Sequence, residues 1–101
     1  MSTTLGKKLR NKYPDRIPII FNCKEDIEIS KKKIIVPENI SLSQVISIIR
    51  KYVSLKKHEA LIIFINNTLP QASSNILTLY NEHKNEDDIL DIKISKENTF
   101  G

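Results

Sequence analysis

A chain of 101 residues, 40% hydrophobic and 28% charged, has the length of one domain and can bury about 65% of its unfolded surface without covalent staples. Its single cysteine, Cys23, excludes an internal disulfide and suits a reducing compartment such as the cytosol. No apolar run approaches the roughly 20 residues of a bilayer span, the first ten residues lack the apolar stretch of a secretory signal, and the net charge is +4.

Thr3 or Thr4 can cap a short helix carrying Leu5, Leu9 and Tyr13, which the Tyr13-Pro14-Asp15 turn ends. Residues 17–21 read as a strand rich in β-branched side chains, with Pro18 calling for a sheet edge or a strand start. Residues 22–31 form a polar connection. Lys33-Ile34-Ile35-Val36 make a second strand, stopped by Pro37. The next helix has the clearest signature. Ser41 and Gln44 form a capping box and Ile40 and Val45 occupy staple positions. Leu42, Val45, Ile46, Ile48, Ile49, Tyr52 and Val53 then recur at helical spacing.

Residues 60–65 are a continuous apolar run, as a central strand would show. Asn66-Asn67 supplies a turn, since Asn tolerates positive φ. A shorter helix starts at Ser73 or Ser74, sets Ile76, Leu79, Tyr80 and His83 on one side, and is broken by Asn85-Glu86-Asp87-Asp88. Residues 89–95 alternate Ile89, Ile92 and Ile94 with Asp91 and Lys93, the mark of a half-buried strand. Residues 96–101 are polar and read as an extended, mobile tail. The order helix, strand, strand, helix, strand, helix, strand predicts an α+β domain built on one mixed sheet.

Signals for catalysis are poor. With only Gly6 and Gly101 as glycines, no glycine-rich phosphate loop can form. His58 and His83 lack metal-ligand spacing. Cys23 beside Lys24 is a lone thiol, and Glu86, Asp87 and Asp88 fit a solvated charge run better than a cation site. The chain is therefore not expected to be an enzyme.

Charge is unevenly divided. Residues 1–57 hold 13 Lys or Arg against 5 Asp or Glu, and residues 58–101 hold 3 against 7. The basic part suits an anionic partner, or is a solvated lysine-rich surface. Lys7, Lys8, Arg10, Lys12, Arg16 and the Lys31-Lys32-Lys33 run raise nucleic-acid binding, but no aromatic lies beside the lysine run to stack on bases. No nucleic-acid partner is expected. Strand addition of an extended peptide along the second strand is the third class, with the lysines drawing acidic flanking residues.

Several stretches resemble the autophagy ubiquitin-like modifiers, the GABARAP and microtubule-associated light-chain group. They are Lys12-Tyr13-Pro14-Asp15-Arg16-Ile17-Pro18, Lys31-Lys32-Lys33 with Val36-Pro37, Ile49-Arg50-Lys51, Phe64-Ile65-Asn66-Asn67, Leu79-Tyr80-Asn81-Glu82-His83 and the ending Glu97-Asn98-Thr99-Phe100-Gly101. The similarity runs in matching order from about Leu9 to Gly101. It implies a β-grasp (ubiquitin-like) fold, a four-stranded mixed sheet in a single domain over 1–101. Residues 1–13 would form a shortened N-terminal helical extension and residues 96–101 a flexible conjugation tail.

The resemblance also implies a conjugation cycle in which activating and conjugating enzymes join Gly101 to phosphatidylethanolamine, with Thr99 and Phe100 as tail-recognition residues. No cofactor is expected beyond that covalent lipid. Its two acyl chains suffice for stable anchoring. A glycine has no side chain to block a narrow active site around its carboxylate. In the family a cysteine protease often trims residues beyond this glycine. Here the expectation is either that this form is already mature, or that the gene encodes the exposed glycine and needs protease only for release from lipid. The protein would move between cytoplasm and an autophagosome or other organelle membrane.

The family's peptide groove, which takes aromatic-x-x-aliphatic motifs of receptors and adaptors, carries over by position. Its first pocket would use Leu9, Pro18, Ile20, Lys33, Ile35 and Ile89. Its second would use Ile34, Val36, Pro37, Ile40, Val45 and Ile48. Arg16, Lys31 and Lys33 would meet acidic flanks. Departures from the family pattern bear on ligand preference: Leu5 stands in place of an acidic residue at the first pocket's rim, Ile89 and Ile34 in place of aromatics, and Tyr52 in place of a basic residue. The N-terminal extension and the loop before Lys31 are shorter than usual. A noncovalent ubiquitin-like interaction module, or a modifier of a non-autophagic membrane, is the alternative.

Overall fold

A computed structural model describes residues 4–23, 28–56 and 59–98. Thr4 has extended backbone and its Oγ1 accepts the Lys7 N–H, which starts α1 (Leu5–Lys12). Tyr13, held before Pro14, closes that helix by donating its N–H to the Leu9 carbonyl. β1 (Arg16–Cys23), β2 (Lys33–Pro37), α2 (Leu42–Ile49), β3 (Glu59–Phe64), α3 (Ile76–His83) and β4 (Leu90–Asn98) follow, in the order read from the sequence. The strands form one sheet, β2-β1-β4-β3, with β1 and β4 parallel and the other pairs antiparallel.

Side-chain alternation decides the layers. Ile17, Ile19 and Phe21 of β1, Ile34 and Val36 of β2, and Leu90, Ile92 and Ile94 of β4 turn to one face. There they pack with Leu42, Val45 and Ile49 of α2 and with Ile76, Leu79 and Tyr80 of α3. Each such side chain contributes about 1.5–3 kcal/mol by leaving water. The opposite face presents Pro18, Ile20 and Ile35, and α1 lies on that side.

Several boundaries differ from the sequence reading, each for a tertiary reason. β1 is central, so Pro18 sits at neither an edge nor the first strand position. Phe21 N–H donates to the Lys32 carbonyl at 2.9 Å, which turns backbone groups of odd β1 residues toward β2 and those of even residues toward β4. β4 is paired only from Leu90, opposite Ile19, so the missing N–H of Pro18 falls beyond its start. β3 is an edge strand, not the central one expected from its apolar run. Only Ile63 in it is buried and the rest is half-buried. An unbroken apolar run reports shielding of both faces, not the number of hydrogen-bonded neighbours.

α2 stops at Ile49, short of Tyr52 and Val53. The Lys51 and Tyr52 N–H groups reach back three residues, the Tyr52 carbonyl accepts Ser30 N–H at 2.8 Å, and Val53 bridges Ile29. α3 starts at its Asn75 cap rather than at Ser73 or Ser74. The carbonyls of Ala72 and Ser74 are occupied in accepting the Ser43 and Leu42 N–H groups at the start of α2. Leu90, not Ile89, shares the core face with Ile92 and Ile94, while Ile89 lies on the α1 side. Residues 96–98, expected in a mobile tail, are the last rungs of β4 against β3. The Asn66-Asn67 turn is present, with φ of 50° and 63°, and joins Ile65 to Thr68.

Candidate peptide-binding groove

β2 is an edge strand of the sheet. Its pairing phase turns the backbone groups of Ile34 and Val36 toward β1, so Lys33 and Ile35 present N–H and C=O to the open side. An extended chain can pair there. Beside this edge lies a cavity of about 330 Å³. Leu9, Pro18, Ile20, Lys33, Ile35 and Ile89 all line it, and Leu5, Lys31 and Ile34 join them.

The cavity exists because α1 crosses the outer face of the sheet. Leu5 and Leu9 stand one helical turn apart and form its wall, while Pro18, Ile20 and Ile35 form its floor. Ile89, 3% exposed, closes one corner. Lys31 and Lys33 are exposed, and the Lys31 Nζ sits 5.8 Å from the Tyr52 ring centroid. Arg16, also exposed, pairs with Pro37 at the far end of the β1–β2 ladder from the Ile20–Lys33 rung. Four rung spacings separate the two ends, about 13 Å. Cations thus flank the edge at both ends.

The second set of residues lies across β2, at the seam with α2. Ile34, Val36 and Val45 belong to the core. Pro37 is exposed and Ile40 and Ile48 are half-buried, so these three are the ones accessible from outside.

α1 is short and needs tertiary support. Arg10 supplies much of it. Its Nη1 donates to the Pro14 and Arg16 carbonyls, both at 2.7 Å, and lies 3.6 Å from Glu38 Oε2. Its guanidinium stands 5.5 Å from the Tyr80 ring centroid. Lys7 and Lys84 pair with Asp88 at 3.9 and 3.6 Å. The Tyr80 hydroxyl donates to the Asp88 carbonyl at 2.7 Å. Burial pushes the Tyr80 phenol upward from its ordinary value, the Asp88 charge adds to this, and Arg10 opposes it. Gly6 of α1 lies against the Asp87 and Asp88 backbone carbonyls, and a glycine inside a helical pattern is the sequence signal for such a close approach.

Other candidates sit apart from the groove. His83 is half-buried, with Nδ1 at 2.9 Å from Asn66 Nδ2, and ties α3 to the 66–67 turn. Cys23 is half-buried at the end of β1. Among the described residues no group of three His, Cys, Asp or Glu side chains could hold a metal ion, and no helix is long and apolar enough to cross a membrane. Lys24, His58, Thr99, Phe100 and Gly101 lie outside the described residues.

Comparison with known proteins bears on this arrangement. The family model described as autophagy protein Atg8, ubiquitin like, matches residues 3–101. Autophagy-related protein 8 of Schizosaccharomyces pombe is 45% identical, the match covering 97% of this chain and 84% of that protein. Autophagy-related protein 8a of Arabidopsis thaliana is 40% identical, over 95% and 81%. Among solved structures, Trypanosoma brucei ATG8 superposes with a TM-score of 0.79 at 35% identity, covering 93% of this chain and 84% of that one. Plasmodium falciparum Atg8, solved in complex with a Plasmodium falciparum Atg3 peptide, gives 0.77 at 26% identity, over 89% and 83%. The mixed sheet and the three helices found among the described residues are accordingly the ubiquitin-like β-grasp, an α+β fold.

Proposed function

We propose, from the premise that this chain belongs to the Atg8 family of ubiquitin-like autophagy proteins, that it is a lipid-conjugated modifier. Gly101 is its acyl donor and phosphatidylethanolamine its acceptor. Activating and conjugating enzymes perform the chemistry, with Thr99 and Phe100 recognised in the tail, and a cysteine protease reverses it. The chain is their substrate and, once anchored, a binding surface on autophagosome-type membranes, exchanging with a cytoplasmic pool. Receptors and adaptors with aromatic-x-x-aliphatic motifs would add a strand to β2, their aromatic residue entering the first pocket and their aliphatic residue resting near Pro37, Ile40 and Ile48.

The observation that carries this reading is the cavity beside an open, lysine-flanked strand edge in a chain of this family. Main-chain pairing supplies affinity in such a mode and the pockets supply choice. The Atg3 peptide bound to the Plasmodium relative supports peptide recognition by this fold, in keeping with a conjugating enzyme as one of its partners.

Reconstitution tests the conjugation. Wild type and Gly101→Ala are incubated with activating and conjugating enzymes, ATP and phosphatidylethanolamine liposomes, and intact mass is measured. Wild type should gain the mass of the lipid less water, and the variant should gain nothing. Membrane recruitment of wild type without an adduct would leave a noncovalent module as the reading instead.

A further inference from the structure

Gly6 is buried in α1, where its neighbours along the chain are exposed or half-buried. A β-carbon at this position would fall well inside contact distance of the Asp87 and Asp88 carbonyl oxygens. Both obstacles are backbone atoms, so no side-chain rotation relieves them. The Asp88 carbonyl oxygen also accepts the Tyr80 hydroxyl, and Asp88 itself has a φ of 59°. The loop therefore cannot retreat cheaply.

The residues flanking this contact on both segments belong to the first pocket. Leu5 precedes Gly6 and, with Leu9, forms the wall; Ile89 follows Asp88 and closes the corner. The helix-to-loop contact thus sets how far wall and corner stand apart. Any side chain at position 6 must lift the wall away from Ile89. Core folding is not at stake, since among the described residues the core cluster draws no member from α1.

We infer that Gly6 is a positioning residue that sets the aperture of the first pocket and, through it, which aromatic side chain the groove accepts. The inference rests on the peptide-groove reading above. With Gly6 in place α1 stays close to residues 87–88, and that approach sets the spacing between Leu5 and Ile89. Opening the Leu5–Ile89 corner weakens contact with the smaller ring and makes room for the larger.

Two peptides differing only in that residue, Phe-x-x-Leu and Trp-x-x-Leu with acidic flanks, are titrated into wild type, Gly6→Ala and Leu5→Ala. The ratio of the two dissociation constants in Gly6→Ala should move toward tryptophan by about fivefold or more. Leu5→Ala trims the wall while leaving the Gly6 contact intact, and should move the ratio the same way. General loosening would weaken both peptides in parallel, and an unchanged ratio in Gly6→Ala overturns the inference. If Gly6→Ala fails to fold, an unchanged ratio in Leu5→Ala overturns it. Wild type that binds neither peptide refutes the groove reading itself, a different outcome from wild type that binds both with an unaltered ratio in the variants.

Discussion

Glu59 shows how one side chain can carry a pH dependence. Its Oε1 accepts the Lys56 N–H at 2.8 Å, and Lys96 Nζ lies 3.2 Å from Oε2. The backbone hydrogen bond lowers the carboxyl pKa most, burial pushes the other way, and the Lys96 hydrogen bond and charge add to the lowering. A folded-state value below the ordinary 4.5 means the unfolded chain binds the proton more readily. Its stabilising contribution is therefore present above 4.5 and lost as pH falls through the lower folded value. Melting temperatures of wild type and Glu59→Gln should differ at neutral pH and converge in acid. A gap that persists at low pH would refute the role given to ionisation. Only half of this was legible in the sequence: the Lys56 contact spans three residues, but Lys96 comes from β4, whose pairing with β3 no local pattern specifies.

Helix starts illustrate the next level. Ser41 and Gln44 spell out their capping box, and both halves are present: Ser41 Oγ accepts the Gln44 N–H and Gln44 Oε1 accepts the Ser41 N–H. These contacts span three residues, so they can be read directly from the chain. Asn75 also caps, its Oδ1 accepting the Leu77 and Thr78 N–H groups at 2.9 and 3.3 Å, although the sequence pointed to the preceding serines. Asn75→Ala should cost about 1 kcal/mol in urea unfolding. Loss of a few tenths or less would mean that Ser73 or Ser74 takes over the cap. The displaced start follows from the use of Ala72 and Ser74 carbonyls by α2, an interaction across more than 25 positions that no local signature contains.

The groove belongs to the molecule as a whole. Its first pocket draws on residues 5, 9, 18, 20, 31, 33, 35 and 89, which meet because the sheet order puts β1 beside β2 and α1 crosses their outer face. Ile35→Asp should weaken an aromatic-x-x-aliphatic peptide at least tenfold, or about 1.4 kcal/mol, by placing a charge on an apolar floor. Lys33→Glu should weaken it through repulsion of acidic flanks, with a smaller loss at high salt. Both positions face outward from the core, so circular dichroism should be unchanged. Equal affinity in a properly folded Ile35→Asp would remove the pocket assignment. The basic part of the chain identified from composition is represented here by Arg16 at the start of β1 and by Lys33 at the start of β2, with Lys31 just before it.

Local chemistry was enough to read the element order, the α2 cap and the Asn66-Asn67 turn. Each of these depends on atoms a few positions apart, where periodicity and side-chain type act directly. The family was legible because several short motifs, from Lys12-Tyr13-Pro14-Asp15-Arg16 to Leu79-Tyr80-Asn81-Glu82-His83, occur together in order. Folding in three dimensions was needed to place Pro18 inside a central strand, to move the β3 apolar run to an edge, to separate Ile89 from Leu90, and to give Gly6 its contact with Asp87 and Asp88. Those outcomes turn on which strands are neighbours and which backbone atoms approach across long loops. Apolar burial drives such arrangements but is nearly non-directional, so composition and spacing specify that these residues are covered without saying by what.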